Sequence, residues 1–371
     1  MNNIFSETYC GKRVLITGHT GFKGSWLTVW LLKLGAKVIA CSDQIPTNPS
    51  MFEVLGLENR IEHHLADVRD AAAVARLIET SKPDFIFHLA AQAIVSTSYQ
   101  EPLDTISTNV MGTANILDAL RHVQHPCTAI FITSDKCYEN VEWPWGYKET
   151  DHLGGRDVYS GSKGAAEVII HSYYWAFFRD PQKTPVRIAT GRAGNVIGGG
   201  DWAKDRIVVD CVRSWSKGET VEIRSPDATR PWQHVLEPLS GYLTLAAELA
   251  RDRQLCGESF NFGPRTEQNK TVVSLLADLR SHWEQDPTGK AYRITGNVPF
   301  HEAGLLRLNC DKAAFLLKWE AVLTYAQCIE MVGRWYSNFY AGQPTDAYKL
   351  TLEQIDQYEA AAVQRGLAWT K

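Results

Sequence analysis

A glycine-spaced turn between a buried strand and a helix constrains this chain most. Lys12-Arg13-Val14-Leu15-Ile16-Thr17 reads as a core strand, and Ser25-Trp26-Leu27-Thr28-Val29-Trp30-Leu31-Leu32 has helical spacing. Between them lies Gly18-His19-Thr20-Gly21-Phe22-Lys23-Gly24. In that context glycines permit a tight turn and let amides at a helix N-terminus approach a diphosphate. The spacing is G-x-x-G-x-x-G, not G-x-G-x-x-G, so a plain glycine-rich turn is the competing reading. Gly18, Thr20, Gly21, Phe22, Lys23 and Gly24 become candidate cofactor residues.

The alternation continues. Lys37 to Cys41 reads as a second strand that ends at Ser42-Asp43. An acid roughly 20 residues past such glycines holds an adenosine ribose in dinucleotide folds, and Asp43 fits loosely. A third strand ends at Leu65-Ala66-Asp67-Val68, where Asp67 either meets the adenine or caps the helix that opens at Ala71. Asp84 to Ala91 is a fourth, with Leu89, Ala90 and Ala91 where a cofactor could approach. Ala129 to Thr133 is a fifth, and Ser134-Asp135-Lys136 leaves its end. In an open α/β sheet that end is where ligands sit. Tyr159 and Lys163 follow, four apart on one helix face. An ammonium beside a phenol favours the phenolate and makes Tyr a proton acceptor. Pro185 to Thr190 is a sixth strand, and the glycine-rich run Gly191 to Trp202 reads as a binding loop.

These alternations predict a doubly wound, mostly parallel sheet of Rossmann type over residues 1–190. The less regular stretch 191–345 predicts a smaller mixed α/β substrate lobe, with the strand near Phe260 returning to the main sheet. Its expected elements include Arg206 to Lys217, Thr220 to Arg224, Leu236 to Leu249, Val272 to Trp283 and Tyr325 to Tyr340. Residues 346–371 read as a polar C-terminal helix. The expected helices Asp104 to Val123 and Tyr159 to Arg179 are apolar on more than one face. That implies either burial in one large core or cover from the sheet on one side and a second subunit on the other.

A net charge of −4 over 371 residues gives no electrostatic case for nucleic acid or an anionic membrane. No apolar run reaches the roughly 20 residues of a spanning helix. Eight scattered cysteines without a C-x-x-C pattern suggest free thiols in a reducing compartment, so a cytoplasmic location is expected. The His63-His64 pair lacks a matching ligand set, so no metal is expected.

Together, several segments resemble the extended branch of the short-chain dehydrogenase/reductase superfamily, the nucleotide-sugar-modifying enzymes. They are Thr17-Gly18-x-x-Gly21-Phe22-x-Gly24, Asp67-Val68, His88-Leu89-Ala90-Ala91, Tyr159-x-x-x-Lys163 and Arg192-x-x-Asn195-Val196-Ile197-Gly198. The likeness runs from Lys12 to about Tyr340. Nucleotide-sugar 4,6-dehydratases in that branch carry a hydroxyl residue, Asp and then an acid after the fifth strand; here the third is Lys136. That departure, with Tyr138 to Tyr147 and Arg230-Pro231-Trp232-Gln233-His234-Val235, resembles the dehydratases that act on CDP-glucose. The resemblance implies NAD, a homodimer or homotetramer built on paired helices, and an early step towards dideoxy sugars of cell-surface polysaccharide such as lipopolysaccharide O-antigen. By family count the ribose-binding acid belongs where Ser42 stands, with Asp43 one place later.

The resemblance also implies roles. Tyr159 takes the 4-hydroxyl proton while hydride leaves C4, and Lys163 holds the ribose and lowers the phenol. Ser134 bonds the 4-oxygen, Asp135 is the acid and Lys136 the base of water elimination. Arg192, Asn195 and Arg230 hold substrate, Asn195 and Arg230 at its diphosphate, and Trp145 or Trp202 walls the pocket. A nucleotide-sugar 4-epimerase needs no acid/base pair at Asp135-Lys136. A dinucleotide-sensing regulatory protein usually lacks the catalytic Tyr or Lys, and this chain has both.

Overall fold

Strands this apolar need cover on both faces, and the chain supplies it by alternating strand and helix. The computed structural model describes residues 4–223, 225–265, 269–283, 292–295, 305–341 and 346–371. Seven strands form one parallel sheet: β1 (Arg13–Thr17), β2 (Lys37–Ser42), β3 (Glu62–Leu65), β4 (Phe85–His88), β5 (Cys127–Ile132), β6 (Val186–Ala193) and β11 (Ser259–Phe262). Their order is β11-β6-β5-β4-β1-β2-β3, so the chain reverses direction across the sheet between β1 and β4. The strand at Phe260 does return, pairing with β6 from Ser259↔Thr190 to Phe262↔Ala193. β6 itself runs through residue 190, the boundary expected between the two lobes. The remaining strands make two-stranded pairs: β7 (Val196–Ile197) with β10 (Gln233–His234), β8 (Val221–Ile223) with β13 (Tyr292–Ile294), and β9 (Thr229–Pro231) with β12 (Asn269–Thr271).

Helices α1 (Phe22–Lys33), α2 (Met51–Val54), α3 (Ala71–Ser81), α4 (Val95–Gln100), α5 (Pro102–Ile106), α6 (Gly112–Leu120) and α7 (Val158–Tyr173) accompany the first six strands. The later chain adds α8 (Ile207–Trp215), α9 (Leu236–Arg251), α10 (Val272–Arg280), α11 (Tyr325–Tyr340) and α12 (Ala347–Gln364). Arg224 and Thr345, outer limits of two expected elements, lie outside the described residues. Widened π turns at Ser107–Met111 and Tyr174–Phe178 interrupt the two helices expected to be continuous.

α1 is buried from Gly24 to Leu31 because it lies between the sheet and α12. The expected polar C-terminal helix therefore has a buried face, with Ile355, Tyr358 and Ala362 in the core. Trp30 donates its indole N–H to Glu359 Oε1 (2.8 Å), and Lys33 pairs with Glu359 and Asp356. Trp369 then stacks on Phe5 at 5.0 Å, which ties the two ends of the chain together. Among the described residues no helix is long and apolar enough to cross a membrane.

Candidate active site

The C-terminal ends of β1, β4 and β5 meet the N-terminal ends of α1 and α7, and the candidate residues gather there. Gly18 has φ +77° and lies against the backbone of Ala90, where a Cβ would come within 2.7 Å of its nitrogen. Only glycine allows that turn and that approach together. Gly21 stands at the N-cap of α1 and offers no side chain to the first helix amides, which suits them to a diphosphate. Ala90 N–H donates to Thr17 Oγ1, which fixes the Leu89-Ala90-Ala91 segment beside the glycine turn.

A groove of about 420 Å³ opens beside this turn, lined by Asp43, Gln44, Leu65, Ala66, Asp67 and Arg69. The glycine turn, the small residues after β4 and this groove fit an adenine dinucleotide. Asp43 faces the groove. Ser42 is buried, with its hydroxyl 3.1 Å from His19 Nδ1 and beneath the Thr20 amide. Of the two ribose candidates, Asp43 is the one open to a ligand. Asp67 pairs with Arg69, whose hydrogen bonds hold that carboxyl below its usual range. Val68 turns inward, and its carbonyl accepts from Asn115. Thr20 spends its hydroxyl on Gln44 O (2.7 Å) and so ties the turn to the chain after β2.

The second half of the site follows β5. Ser134 donates to Asp135 Oδ1 (2.9 Å) and accepts from Lys136 N–H, which shapes a tight turn over Asp135–Cys137. Asp135 is buried, and burial raises its carboxyl against the pull of Lys136, Ser134 and Lys23. Gly194 lies against that carboxylate, where a Cβ would stand 3.0 Å from Oδ2, so the glycine-rich loop closes directly over the acid. Burial pushes the Tyr159 phenol up to about 12 and the Lys163 ammonium down to about 8. Lys163 Nζ sits 5.9 Å from the centre of the Tyr159 ring. The cation that most favours the phenolate is Arg206 at the N-cap of α8. Lys23 turns towards this centre, where burial and Arg206 lower it to about 8 while Asp135 and Asp201 attract it.

Two expected site residues, Arg192 and Trp202, do other work. Arg192 is fully buried, forks onto Glu167 at 2.8 and 3.0 Å and donates to Tyr138 Oη at 2.6 Å. Its charge is spent inside the protein, so it does not bind substrate. Trp202 packs in the core among Trp335, Tyr336 and Phe339, and its indole donates to Tyr340. Trp145 is exposed beside Trp143. Asn195 is half-buried between β6 and β7, and Arg230 lies on β9, donating to the Thr229 carbonyl. Sequence reasoning missed Arg206 and did not single out Asp201 within the glycine-rich run. The signal for Arg206 was its position between that run and the helix it feeds, α8.

The model of the family described as GDP-mannose 4,6 dehydratase matches residues 15–332. The chain belongs to that family. A CDP-glucose 4,6-dehydratase of Salmonella typhimurium is 42% identical over 356 residues, covering 95% of this chain and 98% of its own. Among solved structures, an epimerase of Methanothermobacter thermautotrophicus matches with TM-score 0.75 at 22% identity, over 91% of this chain and 96% of that one. A dTDP-glucose 4,6-dehydratase of Bacillus anthracis, solved with NAD, matches with TM-score 0.71 at 19% identity, over 88% and 96%. These two likenesses show the fold alone, a Rossmann-type one.

Proposed function

We propose that the chain is a hydro-lyase that converts CDP-D-glucose to CDP-4-dehydro-6-deoxy-D-glucose. The observation that carries this is a buried carboxyl, Asp135, raised by burial and set between a candidate base, Lys136, and a hydroxyl, Ser134. A departing 6-hydroxyl needs such a proton donor. The 42% identity to a CDP-glucose 4,6-dehydratase supports the same substrate.

The dinucleotide groove suits NAD, which when bound takes hydride from C4 and returns it to C6. Asp43 would hold its adenosine ribose and Lys163 the nicotinamide ribose. Tyr159 accepts the 4-hydroxyl proton as the ketone forms, and Ser134 hydrogen-bonds the 4-oxygen. The ketone acidifies C5–H. Lys136, neutral at this step, removes that proton while Asp135 protonates the 6-hydroxyl, which leaves as water; as hydride reaches C6, Lys136 gives its proton back to C5. Asn195 and Arg230 hold the substrate diphosphate.

The protein works as a homo-oligomer on α5, α6 and α7. Leu103 on α5, Val168 on α7, and Met111 and Trp175 in the adjoining π turns are large apolar side chains at least 51% exposed. A cytoplasmic location accords with eight unpaired cysteines. Incubation with CDP-glucose and NAD, followed by mass spectrometry, tests the reading. The expected product is lighter by one water, with no net NADH. An unchanged mass would favour a 4-epimerase, and no turnover with any nucleotide sugar would favour a sensing protein.

A further inference from the structure

The Glu167–Arg192 pair touches none of the reacting groups proposed above, yet both side chains are only 3% exposed. Burying two charges is expensive unless further hydrogen bonds satisfy them. Here they do, and the partners are not scattered. Glu167 Oε1 accepts from Thr133 Oγ1 (2.5 Å) as well as from Arg192, and Oε2 accepts from Ser259 (3.3 Å). Arg192 also donates to Tyr138 Oη, which donates on to Asn261 Oδ1 (2.8 Å). Thr133 immediately precedes Ser134, and Tyr138 immediately follows Cys137. The pair thus grips the chain on both sides of the strip Ser134–Cys137. Glu167 stands one helical turn beyond Lys163 on α7, so the grip also fixes the strip against the helix that carries Tyr159 and Lys163.

The strip's own bonds set its shape but not its place. Ser134 to Asp135, Lys136 N–H to Ser134 and Tyr138 N–H to Asp135 O are all internal. Its place comes from Thr133 N–H on Gly191 O, Gly154 N–H on Cys137 O, the hydrogen bond between Ser134 and Tyr159, and the two side-chain grips. We infer that Glu167 and Arg192 are positioning residues that set the acid–base strip against Tyr159 and Lys163, and so govern water elimination rather than the binding of either ligand. This rests on the proposed roles of Asp135 and Lys136. Acid and base act on adjacent carbons, so a shifted strip impairs both at once. Hydride transfer from C4 depends chiefly on the Tyr159 phenol, which α7 carries, and meets the strip only through Ser134.

Removing Glu167 or Arg192 alone would strand a buried charge, so the test works on the two grips. The double variant Thr133→Val/Tyr138→Phe keeps the ion pair and deletes both hydroxyls. Its KM for CDP-glucose and its affinity for NAD are expected to stay within about twofold of wild type while kcat falls at least about tenfold, since small misplacements of reacting groups cost rates of that order. Reduced-nicotinamide absorbance should accumulate with substrate, because C4 oxidation outruns elimination. Exchange of C5–H with deuterated solvent should slow with it. Thr133→Ser, which retains the hydroxyl, should behave as wild type. A double variant with wild-type absorbance and exchange traces would overturn the inference, whatever its melting temperature. Asp135→Asn and Lys136→Met run in parallel separate the two levels. If neither stalls elimination, the acid–base reading falls and the inference with it. If both stall it and the double variant does not, the positioning role alone falls.

Discussion

Tyr159 is a poor proton acceptor in the free protein, because burial lifts its phenol to about 12 and Arg206 and Ser134 only partly offset this. A ligand that adds positive charge nearby lowers it further. Tyr159→Phe removes the proton acceptor and little packing. C4 oxidation, followed by rapid-mixing absorbance, should fall by about 10²–10⁴-fold. Calorimetric NAD affinity should hardly change; an equal fall in both would make Tyr159 structural. Asp43 gives a second residue-scale prediction. Its carboxylate faces the groove, whereas the Ser42 hydroxyl lies under the glycine turn beside His19. A charge-assisted hydrogen bond contributes about 1.5–3 kcal/mol, so Asp43→Asn should weaken NAD roughly tenfold or more. Unchanged affinity would mean that the ribose is held elsewhere.

At the scale of elements, the strands and helices from Arg13 to Thr190 are legible in the sequence because each βα unit carries its own apolar period and turn residues. The Tyr159–Lys163 pair and the Ser134–Lys136 strip are legible for the same reason, being local in sequence. The buried face of α12 is not, because its polar average hides it, and only the fold brings Trp30 to Glu359, 329 residues away. The role of Arg192 is hidden on similar grounds: nothing near it in sequence reveals that Glu167 and Tyr138 consume its donors. The α1–α12 contact makes a prediction of its own. Glu359→Ala leaves the Trp30 indole N–H buried without its acceptor and leaves Lys33 with Asp356 alone. A loss of about 1–3 kcal/mol in unfolding free energy is expected, with kcat unchanged. Denaturant melts and steady-state rates check this; a fall in kcat at full stability would contradict it.

The whole molecule is closed by one carboxylate far from the chemistry. Glu237 at the start of α9 accepts N–H groups of Val322 (2.8 Å) and Leu323 (2.6 Å) and the hydroxyl of Tyr358 (2.7 Å). Tyr358 also bonds Ser240, which accepts from the Trp319 indole. The network joins the packed inner helix α9, the segment before α11 and the C-terminal helix α12. Burial raises Glu237 from its usual 4.5 to about 7, outweighing the three donors that favour its ionised form. The folded protein therefore binds this proton more tightly than the unfolded chain does. Between about pH 4.5 and about pH 7 the folded state holds more protons, so stability falls as pH rises through that window. The full span is about 3 kcal/mol, since a proton held over one pH unit more is worth about 1.4 kcal/mol. Glutamine at this position cannot ionise, but it presents one oxygen where the carboxyl presents two. Glu237→Gln should therefore be less stable than wild type near pH 5, and between pH 5 and pH 8 wild type should lose about 2.5 kcal/mol relative to it. Denaturant unfolding of both proteins across that range measures the gap directly, because every other titrating group cancels in the difference. A gap that did not change with pH would show that Glu237 is already ionised in the folded protein at pH 5, with its three donors outweighing the cost of burial.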